Sequence, residues 1–577
     1  MRDKLPRFIR AQSDWKNWKT TALIAFLLLI PTFQFGLVID DYLFRFAVKE
    51  ESGQIKKIVN KPPFFLYTFA RGDQGKNEAF INQGTYLPWW ASPDLKIHFL
   101  RPLSSLTIWL DNRLGLSPWM MHVHSMVWFG ALLFALALFY RAVFPDRSLD
   151  APKAAGIGFL AWTLFAVNDA NMIPVAWLSH RYSMVSLTFA VLALWAHEKY
   201  RRKEGNAWNG FLLYVLALTG GETALCILGY LFARDFNRPL KLLPYGAVTL
   251  VYLVFYKAAG FGTNASGSYI DPITELHYFI PAVLSRWPAL MGAQTGLITT
   301  DLWLSIPQDS WLLTAISLAG LGFFTLVVYK MRPFSDTEKW LGAGAMLSLI
   351  PLCAMFPHDR LLMISGIGLF PIIARYILRG PKGWFRQLMI VTHVFLAVIF
   401  LPLKTSVLSA GFQFSHNAIQ KAPLPPPGAA SRKVIVINAP SPTLGILFYS
   451  ISNTHGGLGK NDFFFLISAA RSSHSIRRLD KKTLEVEANF LNTEPEKIYR
   501  SNRNRLRKNQ EIRLENVKIR IVKLGGDGRP RIVRFTFQEE LEKYHWLYWK
   551  ENEYRVLKPP APGKKQILAE PAIYPYI

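Results

Sequence analysis

Apolar residues along this chain gather in separate blocks of about twenty residues, which is the length of a helix that crosses a bilayer. The first block, 20–39, contains no charged residue. With the later blocks, the pattern predicts a mainly α-helical, polytopic transmembrane bundle of about 11 spans. The later blocks are 119–140, 154–167, 172–197, 210–233, 240–259, 311–329, 341–356, a block that includes Leu361 and Phe370, and 388–403.

The number of crossings between residues 205 and 310 stays open in the sequence. Gly220 and Gly221 interrupt the block 210–233, and Lys or Arg residues lie near both of its ends. Paired glycines favour a break, so we expect a hairpin of two short helices there. The arms of such a hairpin are short and need protein neighbours or a thin bilayer. The alternative is that 278–300 also crosses.

Flanking charges predict the orientation of the spans, because cytoplasmic loops are rich in Lys and Arg. These residues precede the first block and recur in later turns, so we expect a cytoplasmic N-terminus and an external segment after Lys404. No small-residue cleavage site follows the first block, which indicates a retained anchor. The expected location is therefore the inner or plasma membrane, with several crossings. The later basic turns are 199–203, 330–332 and 375–386.

A long loop, 40–118, is predicted on the external face between the first two spans. It contains Trp89 and Trp90 and an amphipathic stretch from Phe99 to Gly115. These features are typical of a segment that lies against the membrane surface.

The composition changes after the last apolar block. A Pro-rich linker is predicted at 413–431, between a transmembrane domain, 1–412, and a soluble β-rich external domain, 432–577. A turn of three glycines and Asp527 joins the last two predicted strands into a hairpin. The predicted strands are 434–437, 446–451, 484–487, 517–522 and 531–537.

The formal net charge of +27 admits nucleic acid as a partner. In a membrane protein, cytoplasmic Lys/Arg bias and contact with anionic lipid headgroups explain such a charge better, so membrane lipids and no nucleic acid are expected. A basic cluster in the C-terminal domain has two interpretations, a solvated face or a dock for phosphorylated glycan or anionic lipid. Its members are Arg500, Arg503, Arg505, Arg507, Lys508 and Arg513.

Two adjacent acids, Asp40 and Asp41, follow the first apolar block at its predicted outer end. Acids are ordinary at a membrane boundary, so a catalytic role needs partners on the same face. A carboxylate that accepts a proton, beside cations that hold a phosphate, is suited to reactions with a phosphate leaving group. The external loop and further predicted external turns supply Arg101, Asp169, Glu222, His358 and Arg360, and the predicted spans next to them supply His122, His180 and Arg181.

Each of these partners also has a simpler explanation. Arg101 precedes a proline in an extended stretch, where it is suited to bind a phosphate or to lie beside lipid headgroups. Arg181 lies within a predicted span, where a charged residue usually faces a polar cavity or a partner. Asp359 and Arg360 are adjacent and could form only a local ion pair.

The set of positions resembles the C-type (GT-C) integral membrane glycosyltransferases, a class that includes protein O-mannosyltransferases and the aminoarabinose transferase of lipid A. The resemblance covers about residues 20–405. The matching positions are Asp40-Asp41, Arg101-Pro102-Leu103-Ser104, Asp111, Leu114-Gly115, His122, Trp177, Arg181, Glu222-Thr223-Ala224 and His358-Asp359-Arg360-Leu361.

The resemblance implies a polyprenyl-phosphate sugar donor and an inverting transfer to an acceptor hydroxyl on a glycan, lipid or protein. It implies Asp40 as the catalytic base, with Asp41 beside it. Three arginines would bind the donor phosphate, and we expect Tyr269 and Asp271 on the acceptor side. The phosphate-binding candidates are Arg101, Arg181 and Arg360, and His122, His180, Glu222 and His358 complete the expected substrate-binding set.

No cofactor is certain from the sequence, and a divalent metal stays possible. Asp41 and Asp169 are the metal-binding candidates, although the turn that contains Asp169 lacks two acids separated by one residue. The two cysteines, Cys226 and Cys353, lie in apolar runs and indicate neither a disulfide framework nor a zinc or redox motif.

Two other classes of function stay open. A transporter or flippase of a lipid-linked glycan predicts charges deep within several spans and internal repeats. The sequence has few mid-span charges and no evident repeat of fixed period. A non-catalytic envelope scaffold predicts that the basic C-terminal domain carries the function and that the external acids do not.

Overall fold

The computed structural model describes residues 15–49, 61–83, 87–145, 151–297, 299–306, 310–426, 432–459 and 462–571. Within these ranges the chain is mainly helical up to residue 420 and rich in strands beyond residue 432. The expected fold class is confirmed at this level.

The helical part consists of many elements of unequal length. Short 3-10 turns join several of them, among them Ile30–Gln34, Leu178–His180, Glu222–Ile227 and Asp359–Leu361. The α-helices are Trp18–Leu28, Asp40–Lys49, Gln74–Gln83, Pro102–Arg113, Pro118–Val143, Ala151–Ala166, Met172–Ala176, Arg181–Arg201, Ala207–Gly220, Leu228–Asp235, Leu243–Ala258, Leu276–Gln294, Trp311–Met331, Asp336–Ser348, Met363–Arg379, Trp384–Ile390 and Ala397–Gln420.

Three helices in the described ranges are long and apolar enough to cross a membrane, by length and composition: Pro118–Val143, Trp311–Met331 and Trp384–Gln420. This number is far below the eleven or so expected. Interruptions within the apolar blocks explain part of the difference. The block 20–39 divides at Leu29, just before Pro31, and the block 172–197 divides at Trp177.

The expected break at Gly220 and Gly221 is confirmed. The helix Ala207–Gly220 ends there, and a 3-10 turn leads into the helix Leu228–Asp235. A Cβ on Gly220 would lie 2.8 Å from the Cα of Ser186, so only glycine permits this approach of the two backbones. Whether both arms cross a membrane stays a prediction.

Two groups of helices build the core that carries the site. Arg181–Arg201 packs between Pro118–Val143 and Ala207–Gly220. Met363–Arg379 packs against Ala151–Ala166 and Asp336–Ser348. Their facing side chains are fully buried and aliphatic or aromatic, and include Phe129, Leu136, Phe165, Val191 and Ile367.

Three sheets accompany the helices in the described ranges. A small antiparallel sheet of β1 (Thr68–Arg71), β2 (Lys96–His98) and β3 (Gly262–Asn264) joins the loop predicted at 40–118 to a later loop. In the C-terminal domain, a mixed sheet has the order β12-β11-β4-β5 and an antiparallel sheet has the order β13-β6-β7-β10-β9-β8. Their strands are β4 (Lys433–Asn438), β5 (Phe463–Ser468), β6 (His474–Arg478), β7 (Thr483–Glu487), β8 (Glu511–Arg513), β9 (Val517–Leu524), β10 (Pro530–Phe537), β11 (His545–Lys550), β12 (Glu553–Leu557) and β13 (Lys565–Leu568).

Four of the five predicted strands are confirmed, and β9 and β10 form the predicted hairpin. The prediction of a strand at 446–451 is wrong. That segment lies in the helices Pro442–Ile446 and Phe448–Thr454, which link β4 to β5. Because β4 and β5 are parallel neighbours, their connection must cross over the sheet, and a helix is the usual way to do so.

The loop predicted at 40–118 and the C-terminal domain share one hydrophobic core. Trp89 and Trp90 are buried in it, and the indole N–H of Trp89 donates to the carbonyl of Ile467 at 2.9 Å. The expectation that these tryptophans lie against a membrane surface is therefore wrong. The helix Ala397–Gln420 also continues into the segment 413–431, so the linker begins later than predicted.

Candidate functional site

A cavity of about 480 Å³ lies beside the N-terminal half of the helix Arg181–Arg201. Its walls come from that helix, from Leu243–Ala258, and from the loops around residues 262–273 and 350–361. Cavities of this size hold small ligands or parts of larger ones.

The lining of the cavity is amphipathic. Six of its lining residues carry a charged or imidazole side chain, and much of the remaining wall is aliphatic. A ligand with an ionic head and an apolar tail matches such a lining. The charged and polar group is Arg101, His180, Glu222, Lys257, Asp271 and Arg360, and the aliphatic wall includes Leu187, Leu225, Leu228, Leu253, Leu347 and Ile350.

Arg101 is held by a carboxylate and by three aromatic rings. Its Nε donates to Glu222 Oε2 at 2.7 Å, and its guanidinium carbon lies 3.5 Å from the ring centre of Tyr182. Phe99 and Tyr67 face the same group, at 4.4 Å and 4.9 Å. Glu222 thus neutralises Arg101, and the stacked rings fix its direction.

Arg360 has no comparable anionic partner. It is 7% exposed, and its Nε lies buried without a hydrogen-bond partner. Its Nη2 donates only to the sulfur of Met355, at 3.3 Å, while the rings of Trp177 and Phe356 lie 5.3 Å and 5.4 Å away. In the part of the chain that the structure describes, no carboxylate pairs with it. A buried guanidinium in this condition favours an anionic ligand.

Asp40 lies at the edge of the cavity rather than in its wall. Its Oδ2 is 3.5 Å from the hydroxyl of Ser179, next to the cavity-lining His180. The charges of Arg360, Lys61 and Arg101 all act on its carboxylate. Burial nevertheless raises the pKa of Asp40 to about 6. Near neutral pH this group is ionised yet close to its pKa, which suits a general base.

Asp41 has a structural position. Its Oδ1 accepts the backbone N–H of Ser179 at 2.7 Å and its Oδ2 accepts that of Val38 at 3.0 Å. Burial raises the pKa of Asp41 to about 8, although the two N–H donors oppose this rise. Asp41 therefore ties the start of the helix Asp40–Lys49 to the turn before Arg181.

Lys61 is a buried cation near Asp40. Its Nζ donates to the carbonyl of Leu66 at 3.2 Å, and burial lowers its pKa to about 7 although the charge of Asp40 opposes this. The sequence patterns did not single out Lys61, which stands before two prolines without any regular motif.

The expected acceptor-side residues, Tyr269 and Asp271, both line the cavity. Asp271 pairs with Lys257, and its Oδ1 accepts the backbone N–H of Ile273 at 3.0 Å. Burial acts against the charge of Asp271, but Lys257 and the backbone donors outweigh it and lower the pKa. Lys257 was missed, although a lone lysine at the end of an apolar run was a usable signal.

Arg181 and His122 do not line the cavity. Arg181 is fully buried, and its Nη1 donates to Asp111 Oδ2 at 2.6 Å and its Nε to the hydroxyl of Ser125 at 3.0 Å. His122 lies 2.9 Å from the carbonyl of Gly36. Both side chains are thus used to hold helices together.

His358 and Asp169 belong to a neighbouring ionic cluster around Lys404. The Lys404 ammonium lies 2.5 Å from Asp169, 3.1 Å from Asp359 and 3.4 Å from Asp301. His358 lies 2.9 Å from Asp301. The cluster joins three turns to the long helix that carries Lys404. It stands directly beside Arg360, because Asp359 precedes that residue.

Among the described residues, no group of three or more His, Cys, Asp or Glu side chains is arranged to hold a metal ion. The two metal-binding candidates have other partners, Asp41 through backbone N–H groups and Asp169 through Lys404. Of the predicted site residues, the structure brings Arg101, His180, Glu222, Tyr269, Asp271 and Arg360 together around the cavity, with Asp40 at its edge.

Comparison with known proteins adds no family assignment. Neither the scan against protein-family models nor the search of curated proteins finds a match to this chain.

Proposed function

We propose that this protein is a membrane glycosyltransferase that moves a sugar from a polyprenyl-phosphate donor to an acceptor hydroxyl, with inversion, on the extracytoplasmic face. The observation that carries the proposal is Arg360, a buried guanidinium without a carboxylate partner among the described residues, in the lining of a cavity whose wall is largely apolar. A phosphate would supply the missing anion, and a polyisoprenyl chain would match the aliphatic wall.

The proposed reaction uses Asp40 as the base. Asp40 takes the proton of the acceptor hydroxyl while the acceptor oxygen attacks C1 of the sugar. The bond between C1 and the phosphate oxygen breaks on the opposite face, so the configuration at C1 inverts. The negative charge that develops on the leaving polyprenyl phosphate lies beside Arg360, with Arg101 on the same side of the cavity.

A multi-pass topology of about 11 spans is part of the proposal. It is supported by aliphatic and aromatic side chains that helices expose, as lipid contact requires. On the helix Leu243–Ala258, Leu250, Val251 and Val254 are 65%, 69% and 60% exposed. With the positive-inside rule, the proposal has the N-terminus in the cytoplasm and the C-terminal domain outside, in an inner or plasma membrane.

Binding of undecaprenyl phosphate to the purified full-length protein in nanodiscs tests the proposal. We expect Arg360→Ala to weaken binding by about ten- to hundredfold, because a charge-assisted contact is lost. Arg507→Ala, which removes an exposed arginine outside the cavity lining, is the matched control. Equal affinity of the wild type and Arg360→Ala would contradict the proposal.

Asp40→Asn separates a transferase from a transporter of the same lipid. A transferase binds undecaprenyl phosphate as before but loses sugar transfer. In a flippase, movement of the lipid-linked glycan across a vesicle membrane persists in this variant. If neither the wild type nor Asp40→Asn binds undecaprenyl phosphate, the result favours the envelope-scaffold interpretation.

A further inference from the structure

The C-terminal domain is bonded directly to one wall of the cavity. The wall is the loop Gly262–Asp271, whose residues Gly262, Thr263 and Tyr269–Asp271 line the cavity. The backbone N–H of Gly267 donates to the carbonyl of Lys497 at 2.8 Å, and that of Ser501 donates to the carbonyl of Ala265 at 3.0 Å. A Cβ on Gly267 would lie 2.7 Å from the Lys497 oxygen, so the contact leaves no room for a side chain.

A chain of polar contacts continues from the C-terminal domain to the cavity lining. Arg503 pairs with Glu275 and lies 3.9 Å from the ring centre of Tyr278. Glu275 in turn accepts the backbone N–H of Asp271 at 3.0 Å, and Asp271 pairs with Lys257. Both Asp271 and Lys257 line the cavity, so Arg503 is linked to the lining through one intermediate side chain, Glu275.

The same segment also holds the external loop from which Arg101 extends. The carbonyl of Tyr499 accepts the backbone N–H of Ser92 at 2.9 Å. The buried Arg500 donates from Nε to the carbonyl of Trp90 at 2.5 Å and from Nη2 to that of Ala91 at 2.8 Å. The segment Lys497–Asn504 therefore contacts two separate parts of the chain that border the site.

Two members of the basic cluster are thereby used inside the molecule. Arg500 and Arg503 have internal partners, and their charges do not form a free anion-binding surface. Burial and the negative charge of Asp40 both raise the pKa of Tyr499, which shows that this segment reaches the electrostatic surroundings of the reacting carboxylate.

We infer that the segment Lys497–Asn504 of the C-terminal domain is a clamp that sets the position of the cavity wall Gly262–Asp271, with Arg503 and Glu275 as its positioning residues. The inference that this segment positions the wall does not depend on the identity of the ligand. Its effect on catalysis rests on the proposed function. The C-terminal domain is then a working part of the site, and removing it would open the cavity on this side.

Hydrogen–deuterium exchange on the full-length protein tests the clamp. We expect Arg503→Ala to speed amide exchange within residues 262–275 by about fivefold, because a partly exposed ion pair is lost. Arg503→Lys keeps the charge and should stay near the wild type. Arg507→Ala, three residues beyond this segment and without an ion pair among the described residues, should leave exchange unchanged.

Glu275→Gln provides the second arm of the test. Combined with Arg503→Ala, it should add little to either single change, because both remove one interaction. Unchanged exchange at 262–275 in Arg503→Ala, or an increase that is uniform along the chain, overturns the clamp. Failure of the wild type to bind undecaprenyl phosphate would overturn the proposed function, while the exchange data would still decide on the clamp.

Discussion

The backbone N–H of Ser179 donates to Asp41 Oδ1 at 2.7 Å, whereas the Ser179 hydroxyl reaches Asp40 only at 3.5 Å. The two adjacent acids thus have different tasks. Asp41 is held by the backbone on both oxygens and joins two elements. Asp40 keeps its carboxylate available beside the cations of the cavity.

Asp40→Asn should lower sugar transfer by about 10²- to 10⁴-fold, because the base is removed while size is kept. Thermal stability and membrane insertion should change little. Asp41→Asn should instead lower the melting temperature, since an amide cannot accept both N–H groups as well as a carboxylate does. The measurements are transfer rate and melting temperature on matched preparations. Full activity of Asp40→Asn would remove Asp40 from the mechanism.

Lys61 should set the pH at which the proposed transfer activity is lost. Asp40 acts as a base only when deprotonated, so transfer should fall as the pH drops through about 6. Removing a nearby positive charge disfavours the ionised carboxylate. In Lys61→Gln the acid limb of the pH profile should therefore move to higher pH. A pH series of kcat/KM compares the two proteins, and a shift to lower pH would show that Lys61 does not act on Asp40.

Arg181 and Arg360 should respond differently to the same substitution. Arg181→Ala leaves Asp111 buried without its main partner and should cost about 3–5 kcal/mol of stability. Arg360→Ala leaves no carboxylate unpaired, so its loss should appear in lipid binding and much less in stability. Chemical unfolding and undecaprenyl phosphate binding, measured on both variants, distinguish the two roles. Weaker binding by a well-folded Arg181 variant would contradict this division.

The aliphatic wall should select for the isoprenoid tail. Leu253→Trp places a larger side chain in the half-buried part of the wall. We expect it to weaken binding of undecaprenyl phosphate by about tenfold, because a longer tail loses more contact with the wall. A short-chain prenyl phosphate, which contacts mainly the charged residues of the lining, should bind as before. An equal loss of affinity for both lipids would show that the isoprenoid tail does not lie along this wall.

The charged residues of the cavity lining were largely predictable from the sequence, because charged residues interrupt otherwise apolar runs. Asp40, Arg101, Glu222 and Arg360 each stand out in this way, and the structure brings them to the cavity or its edge. Arg181 met the same criterion but does not line the cavity. A single sequence does not reveal that Asp111, which lies 70 residues earlier, accepts a hydrogen bond from the Arg181 guanidinium.

Long-range packing set the limits of prediction elsewhere. Trp89 and Trp90 have the composition of a membrane-surface segment, yet their partners are strands more than 370 residues later, as the bond to Ile467 shows (|i−j|=378). The helices between β4 and β5 carry a strand-like sequence, but the parallel pairing of those strands demands a crossover. In both cases a tertiary contact outweighs the local pattern.

Lys404 has a consequence for the order in which the molecule matures. Asp169, Asp301 and Asp359 all precede Lys404 in the chain, and all three carboxylates form ion pairs with its one ammonium group. During synthesis these three acids therefore emerge before the lysine that they share, which arrives only with the long helix Trp384–Gln420. A chain that stops short of residue 404 would lack this shared ammonium group, although Asp301 would still have His358 beside it at 2.9 Å.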